Sequence, residues 1–316
     1  LSKPELDELH KQLTELLKRG LIVPSASPYA SPVFLVKKRD GGLRVVVDYR
    51  RLNAITVKEQ ACIPRAEDLF DSVRGAKFFT KMDLHSGYFQ VRMRKEDIHK
   101  TTISTPFGTF AFTVMSMGLT NAPATFSRLM NSILQPFLRK FIVVYLDDLL
   151  IYSNSWEEHM QHLRAVLAKL REHKLYAKPS KCTFATPSVS FLRHKISGTT
   201  LSIEEEKAAA IKSWPVPKDS RGVRAFLGFC SYLRRFVEHY TQLARPLEVL
   251  TGKNVAFVWG KEQQQSFEGL QKALMTAPVL SICDPSAPKM IFTDASDIAI
   301  GGVLLQREES GDHWLT

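Results

Sequence analysis

Hydrophobic spacing divides the chain into helical and extended stretches. Leu6, Leu9, Leu13, Leu16 and Leu17 recur at helical spacing behind Ser2-x-x-Glu5, a capping box, and Gly20 ends the run. Pro24, Pro28 and Pro32 follow in a loop. Residues 33–36 and 43–49 read as strands joined by Asp40-Gly41-Gly42, a hairpin turn signal. Residues 77–83 and 88–93 alternate as strands, 109–114 adds another, and 121–136 predicts a helix. Residues 141–153 have a hairpin pattern, and Ser155-x-x-Glu158 caps a second helix with Leu163, Val166, Leu167 and Leu170 on one face. Short strands continue to Phe191. Residues 204–250 are helical in pattern, broken at Trp214-Pro215-Val216-Pro217, and 262–275 predicts a further helix. Ile291, Phe292 and residues 301–306 read as strands of a new module. Strands and helices mix without regular βαβ alternation, so the fold class is α+β.

Inside the 141–153 hairpin, Asp147 and Asp148 stand side by side in an apolar run. A buried carboxylate without a partner is costly, and two adjacent ones repel each other. Consecutive strand residues face opposite ways, so both acids approach one site only at a turn. Asp83 ends another apolar strand, Lys81-Met82-Asp83-Leu84. Three carboxylates on neighbouring strand ends suit Mg²⁺, a hard ion with oxygen ligands; two such ions stabilise both the attacking and the leaving oxygen of phosphoryl transfer. Bound cations also remove the repulsion. From spacing alone a second reading stays open, a tight hairpin turn with two solvated acids at its tip.

Composition narrows the classes. With 316 residues and 44% hydrophobic content the chain can build the cores of two or three domains, and a charged fraction of 24% excludes a disordered chain. The 43 basic against 32 acidic residues give +11, which favours a polyanionic partner. The surplus is concentrated. Residues 34–51 hold six basic and two acidic side chains, and residues 212–245 hold seven and two. Two walls of a nucleic-acid groove and two solvated faces fit this pattern equally. Cys62, Cys182, Cys230 and Cys283 form no Cys-x-x-Cys pair, which disfavours a zinc knuckle, and they read as reduced thiols of an intracellular protein. No apolar run reaches the ~18 residues that span a bilayer, and no secretory pattern is present. A start at Leu1 reads as a piece of a longer polyprotein.

Tyr145-Leu146-Asp147-Asp148 resembles the Tyr-x-Asp-Asp box of reverse transcriptases. Ser31-Pro32-Val33-Phe34-Leu35-Val36-Lys37-Lys38-Arg39-Asp40-Gly41, with residues 43–53, resembles the fingers hairpin of that family. Phe79-Thr80-Lys81-Met82-Asp83-Leu84-His85-Ser86-Gly87-Tyr88 resembles its first catalytic motif. Gly118-Leu119-Thr120-Asn121-Ala122-Pro123-Ala124-Thr125-Phe126 and residues 226–236 are similar to gypsy-type long-terminal-repeat retrotransposons. Phe292-Thr293-Asp294-Ala295-Ser296 resembles the first strand of the retroelement ribonuclease H. The matches run through roughly residues 20–300 in the family's order.

The resemblance implies a right-hand polymerase. Fingers and palm interleave over residues 1–200 (fingers about 1–76 and 98–122, palm about 77–97 and 123–200), a thumb covers 201–255, and 256–316 hold a connection and a truncated ribonuclease H-like module. The implied activity is RNA- and DNA-templated DNA polymerisation, extending a primer from dNTPs by two-metal nucleotidyl transfer with two Mg²⁺ ions, for which Mn²⁺ can substitute. Asp83, Asp147 and Asp148 are the implied catalytic and metal-binding acids, and the backbone of Leu84 is a further ligand. Lys38 and Arg44 match positions that hold the triphosphate. Met117 falls near the incoming nucleotide, and Tyr88 matches the steric gate under its sugar, although by itself Tyr88 reads as an ordinary strand aromatic. Arg193 and His194 lie in the region resembling the primer grip, and Arg221, Arg224, Arg234 and Arg235 are thumb positions suited to duplex phosphates. The implied partners are RNA/DNA and DNA/DNA primer–template and dNTPs, with no membrane, for a monomer or a homodimer. The implied setting is the cytoplasm, inside a virus-like particle, as part of a Pol polyprotein.

Three positions depart from the family pattern. Ser116-Met117 stands where gypsy relatives carry Pro-Phe. Arg193 replaces a usual Gly, which either adds a phosphate contact or spoils a glycine-specific conformation. Asp294 is the single ribonuclease H acid in its motif; Glu308, Glu309 and Asp312 read as part of the following loop, so no ribonuclease H cleavage is expected of the chain as given. A decayed or domesticated retroelement protein that binds nucleic acid without polymerising is the competing reading. An RNA-dependent RNA polymerase is disfavoured by Tyr88 and by the ribonuclease H-like end.

Overall fold

The computed structural model describes residues 1–37, 41–60, 64–277, 279–284, 287–295, 300–308 and 311–314. In chain order the elements are α1 (Lys3–Lys18), β1 (Ile22–Pro24), β2 (Ser31–Lys37), β3 (Leu43–Val47), α2 (Arg50–Ile55), α3 (Ala66–Ser72), β4 (Phe78–Asp83), β5 (Ile103–Thr105), β6 (Gly108–Phe112), α4 (Ala122–Leu134), β7 (Ile142–Tyr145), β8 (Asp148–Ser153) and α5 (Trp156–Glu172). They continue with β9 (Thr183–Thr186), β10 (Ser188–Phe191), β11 (His194–Ser197), β12 (Thr200–Ile203), α6 (Glu205–Lys212), α7 (Ser220–Tyr232), α8 (Tyr240–Val249), α9 (Lys261–Met275), β13 (Leu280–Ser281), β14 (Lys289–Ala295), β15 (Ile300–Glu308) and β16 (Gly311–Trp314). The strands form four sheets, ordered β1-β6-β5-β2-β3, β7-β8-β4-β9, β10-β11-β12-β13 and β14-β15-β16. The class is α+β. The chain divides into two compact units, residues 1–64, 82–150 and 161–182, and residues 65–81, 151–160 and 183–316.

In the first unit α1 starts as its sequence predicts. Glu5 Oε2 accepts from the Ser2 backbone N–H at 2.7 Å and from the Ser2 hydroxyl at 3.0 Å. The leucine stripe of α1 buries Leu9 and Leu13 among Ile22, Val47, Tyr49, Ile103, Phe110, Phe112 and Val114 of the β1-β6-β5-β2-β3 sheet and its margins. Gln12 fixes the helix to the sheet edge: its amide donates to the Leu43 carbonyl at 2.9 Å and accepts from the Val45 N–H at 3.3 Å. The predicted β2–β3 hairpin forms, with Val33 opposite Val47 and Val36 opposite Arg44; Asp40 of its turn signal lies outside the described residues.

One predicted strand forms only in its second half. Gly87–Gln90 is a 3-10 turn, whereas Val91 to Met93 extend: Arg92 bridges Val114, flanked by the Met115 N–H on the Val91 carbonyl at 2.8 Å and the Met93 N–H on the Thr113 carbonyl at 3.0 Å. Ser86 turns the chain in the left-handed region (φ 51°), and Gly87 is buried beneath Phe126, where a Cβ would stand 3.1 Å from the ring. Packing against α4 therefore overrides the alternating pattern. The short helices α2 and α3, six and seven residues long, escape any periodicity argument because neither completes a second full turn.

In the second unit the sheet runs beyond Phe191, where the sequence pattern stopped. β11 and β12 alternate correctly, burying His194, Ile196 and Leu201, but their polar Ser and Thr positions hide the signal. Helices α7 and α9 pack through aromatic rings, flanked by Trp214 and Trp259: Phe226 lies 4.6 Å from Phe267 and 5.8 Å from Trp214, and Trp259 lies 6.0 Å from Phe267 between ring centroids. Arg74 reaches the Ile282 carbonyl at 2.9 Å and the Asp284 carboxylate at 2.9 Å. Glu308 closes β15 and Asp312 sits in β16, so the loop predicted for them is a strand pair, while Glu309 lies outside the described residues. Cys182, Cys230 and Cys283 are free thiols, and Cys62 lies outside the described residues.

A buried polar link holds the start of β4 in the second unit. The His159 ring, fully buried, sits between the hydroxyls of Thr80 at 2.7 Å and Ser153 at 2.9 Å, and the Ala185 N–H donates to Thr80 Oγ1 at 3.0 Å. A leucine fills the ring's volume without replacing either hydrogen bond. His159→Leu should therefore lower unfolding stability by roughly 2–4 kcal/mol, read as a reduced urea midpoint at unchanged m-value.

Candidate active site

The predicted hairpin joins β7 and β8 through Leu146 and Asp147 alone. Leu146 adopts φ 55° at the first of the two turn positions, a conformation that normally favours Gly, and Asp147 does not enter the left-handed region. A leucine held there costs on the order of 1–2 kcal/mol, so the surrounding packing must enforce the turn. It does: Ile142 to Val144 and Leu149 to Tyr152 are buried, whereas Asp147 is exposed and Asp148 half-buried at the mouth of the hairpin. The two acids thus leave the apolar arms at a turn, as their adjacency requires.

β4 alternates Thr80, Met82 and Leu84 inward with Lys81 and Asp83 outward, and β8 is its neighbour in the sheet. Beyond Asp83 the strand is bridged by residues 176–178. The Lys178 N–H donates to the Asp83 carbonyl at 2.9 Å, and the His85 N–H donates to the Tyr176 carbonyl at 2.9 Å, around a Leu84–Ala177 bridge. In such an antiparallel ladder the intervening residue turns its own N–H and C=O the other way. The Leu84 carbonyl therefore points away from residues 176–178, on the side of the strand where β8 lies.

The Lys181 ammonium stands 3.1 Å from Asp83 Oδ2. Among the described residues no three His, Cys, Asp or Glu side chains are gathered into a metal-binding cluster. Asp83, Asp147, Asp148 and the Leu84 carbonyl offer oxygen donors alone, the chemistry that suits a hard divalent ion.

Tyr88 lies in the 3-10 turn after Asp83, half-buried, its ring edge-on to Phe126 at 5.4 Å and 88°. Burial first, and then the negative charge of Asp147, push its phenol pKa above the ordinary value. The ring and the hairpin acid are thus close enough to interact. Gln90 ties this turn to residue 176: its amide donates to the carbonyls of His85 at 2.8 Å and Tyr176 at 3.0 Å, and accepts from the Tyr176 N–H at 2.8 Å. Arg44 is exposed on β3, and Lys38 lies outside the described residues. Met117 is exposed beside buried Ser116 in the loop before α4. That loop is held by Asn53, which donates to the Gly118 carbonyl at 2.8 Å and accepts from the Thr120 N–H at 2.9 Å.

In the second unit Leu192 and Arg193 alone connect β10 to β11, at φ 48° and 64°. Positive φ at both central positions is a type I′ turn, so Arg193 keeps the glycine-like conformation rather than spoiling it. The turn is secured from inside. His194 Nδ1–H donates to the Leu192 carbonyl at 2.8 Å and the Tyr232 hydroxyl to the same oxygen at 2.6 Å. The His194 ring is buried between Phe70, Tyr232 and Phe236, so it supports the turn and its side chain does not reach the surface where a nucleic-acid contact was expected. Arg193, Lys207, Gly228, Phe229, Tyr232 and Leu233 line a cavity of about 260 Å³. Arg221, Arg224 and Arg234 are exposed, Arg224 donates to the Thr251 carbonyl at 3.2 Å, and Arg235 is half-buried. Asp294 is exposed in β14, opposite Gly301.

Lys181, Gln90 and Phe126 have no place in the sequence-based site. Lys181 lies 98 residues from Asp83, beyond any spacing argument, and only strand pairing joins them. Gln90 follows Tyr88 by two positions, which the strand reading turned into an ordinary same-face neighbour.

Residues 36–196 match the family model described as reverse transcriptase (RNA-dependent DNA polymerase), and residues 259–316 match that of the RNase H-like domain found in reverse transcriptase. The chain is 37% identical over 305 residues to the retrovirus-related Pol polyprotein from transposon 297 of Drosophila melanogaster, covering 95% of this chain and 29% of that protein. It is 36% identical over 310 residues to the transposon Tf2-3 polyprotein of Schizosaccharomyces pombe, covering 98% and 23%. The chain therefore spans less than a third of the length of these relatives. Among solved structures it is similar to the foamy viral protease-reverse transcriptase in complex with double-stranded DNA (TM-score 0.87, 23% identity, 100% of this chain and 56% of that one). The same viral protein in complex with an RNA/DNA hybrid gives a TM-score of 0.85 at 22% identity, over 100% and 43%. At these identities the likeness to the viral structures is one of fold.

The strain at Arg193 has a measurable consequence. A left-handed arginine costs about 1–2 kcal/mol, and a glycine there returns roughly 0.4–1 kcal/mol of that through its freer unfolded chain. Arg193→Gly should therefore raise unfolding stability by roughly 0.5–1 kcal/mol, measured by urea denaturation; a lower midpoint would mean that the Arg193 side chain contributes more than its backbone costs.

Proposed function

The chain belongs to the reverse transcriptase family, and from that premise we propose that it extends a primer on RNA and DNA templates by nucleotidyl transfer from dNTPs. The observation that carries the proposal is the meeting of two strand ends in one sheet. Asp83 closes β4, and the Leu146–Asp147 turn delivers Asp147 and Asp148 at the adjoining β8. In this reading Asp83, Asp148, Asp147 and the Leu84 carbonyl hold two Mg²⁺ ions, or Mn²⁺ in their place. Such ions supply Lewis-acid stabilisation of the attacking and leaving oxygens when bound.

The protein's own groups do the rest. The half-buried Tyr88 ring, braced edge-on by Phe126, forms the floor under the incoming sugar. A ribose 2′-hydroxyl would have to displace it, and that group is what separates the two kinds of nucleotide. Exposed Arg44 supplies a fork for the triphosphate from the fingers hairpin, Lys38 serves the same group, and Met117 borders the same nucleotide. Arg193 at the tip of its strained turn, with Arg221, Arg224, Arg234 and Arg235, supplies phosphate contacts to an RNA/DNA or DNA/DNA duplex; His194 keeps the turn in shape. Fingers, palm and thumb follow the ranges that the sequence implies, and Asp294 marks the start of the ribonuclease H-like module.

The relatives are a retrovirus-related Pol polyprotein and polyproteins of transposons, and among the described residues no helix is long and apolar enough to cross a membrane. The proposed setting is a cytoplasmic virus-like particle, where the protein acts on primer–template as a monomer or homodimer.

Primer extension on an RNA template tests the proposal. Asp83→Asn and Asp147→Asn should each reduce extension to background while duplex binding and the unfolding midpoint stay near those of the parent, and Asp148→Asn should be severely impaired. Retained extension by either of the first two would remove the acid assignment. Duplex binding without extension by the parent itself would favour the decayed, binding-only copy.

Tyr88 gives an independent test. If its ring excludes the 2′-hydroxyl, Tyr88→Ala should erode dCTP-over-CTP selectivity by roughly 10- to 100-fold, the equivalent of a ~1–3 kcal/mol overpacking penalty. Tyr88→Phe should retain most of the selectivity, because the ring does the excluding. Single-nucleotide insertion on one template measures both, and unchanged discrimination in Tyr88→Ala would make Tyr88 a packing residue.

A further inference from the structure

We propose that Lys181 is the built-in counter-cation of Asp83: it holds the carboxylate while no metal is bound and gives it up to a divalent cation, so that metal loading at Asp83 is an exchange of one cation for another. The inference rests on the reading of Asp83 as a metal ligand and adds to it the group that the metal must displace.

The geometry is specific. The segment carrying Lys181 is fastened to the strand carrying Asp83 by the Lys178 N–H, 2.9 Å from the Asp83 carbonyl, and by the Leu84–Ala177 bridge. Pro179–Lys181 then forms a 3-10 turn, closed by the Lys181 N–H on the Lys178 carbonyl at 2.9 Å, which brings the Lys181 side chain back over Asp83. Backbone pairing thus brings the Lys181 backbone to Asp83, and the side chain closes the 3.1 Å ion pair.

The two partners differ in the way an exchange requires. The Asp83 side chain is 23% exposed and fixed at a strand end, whereas the Lys181 side chain is 57% exposed on a flexible four-carbon stem. A pair with one solvated partner is weak, strong enough to offset a half-buried carboxylate and weak enough to be outcompeted by a doubly charged ion. Lysine also suits the task better than arginine: a point charge without a planar fork leaves the carboxylate oxygen more easily than a bidentate guanidinium.

Mn²⁺ serves as the probe, titrated by electron paramagnetic resonance into the full chain without nucleic acid or nucleotide. Lys181→Met should tighten Mn²⁺ binding by roughly two- to fivefold, the span of a weak ion pair. Lys181→Arg should not tighten it. Lys178→Met removes the same charge three positions away without touching the pair, and should shift affinity much less. Lys181→Gln provides the same measurement if the Met variant is insoluble. Equal or weaker binding in Lys181→Met, or an equal gain in Lys178→Met, would overturn the exchange and leave only a general charge effect. Asp83→Asn separates the two levels. If it leaves Mn²⁺ affinity at the parent value, Asp83 is not a metal ligand and the underlying reading falls. If it weakens binding while Lys181→Met fails to tighten it, the counter-cation alone is lost.

Discussion

A carboxylate at the end of a buried strand is stabilised by a nearby cation, and the arrangement of the strand end at Asp83 follows from how one is supplied. β4 is apolar on its inward face, so its last residue emerges half-buried, where neither bulk water nor the core accommodates a bare charge. The segment 176–181 answers this twice. Its backbone extends the ladder past Asp83, which fixes where the carboxylate stands, and its turn returns the Lys181 ammonium to that carboxylate. The same ladder leaves the Leu84 carbonyl turned toward the β8 side, and the Gln90 amide, bonded to both His85 and Tyr176, carries the order on to the Tyr88 turn. One strand-end pairing thus sets a carboxylate, a carbonyl and an aromatic ring within a short stretch of chain.

Left-handed backbone recurs at these turns without glycine to ease it. Ser86 precedes the Tyr88 turn, Leu146 stands before Asp147, and Leu192 and Arg193 form the tip of the β10–β11 hairpin. Each costs energy that a surface loop would shed by relaxing, so each must be held by something stronger. The holders can be named: Gly87 packed under Phe126, buried arms on both sides of Leu146, and two hydrogen bonds from His194 and Tyr232 onto one Leu192 carbonyl. Strain maintained by packing gives stiff turns, and stiff turns suit positions where a side chain has to be presented at a fixed point.

The β10–β11 hairpin shows how the departures from the family pattern are absorbed. A type I′ turn asks for Asn-Gly or Gly-Gly, and the chain supplies Leu-Arg. The aromatic cage of Phe70, Tyr232 and Phe236 around His194 lies directly behind the turn, so the conformation survives the substitution and the arginine is added at the tip. The histidine that adjoins it in sequence goes into the core because successive strand residues alternate faces.

Much of the fold was legible because local rules sufficed. The capping box and leucine stripe specified α1, the Asp-Gly-Gly signal and its flanking runs specified the β2–β3 hairpin, and two adjacent acids in an apolar run required a turn between β7 and β8. Ordered motifs also carried the family, since Asp83, the Tyr145–Asp148 box and Asp294 appear in sequence whatever their geometry. The sequence by itself could not show that residues 87–90 turn before the strand begins, because the deciding contact is Phe126 on Gly87, almost forty positions away in the chain. It could not show that Arg193 holds a glycine's conformation or that His194 points inward, since both depend on what packs behind the hairpin. It could not pair Lys181 with Asp83, because a hydrogen-bonded ladder between strands distant in sequence made them neighbours. Periodicity and turn chemistry act within a few residues and can be read directly; strand partners and the strain they sustain arise only when remote segments are pressed together.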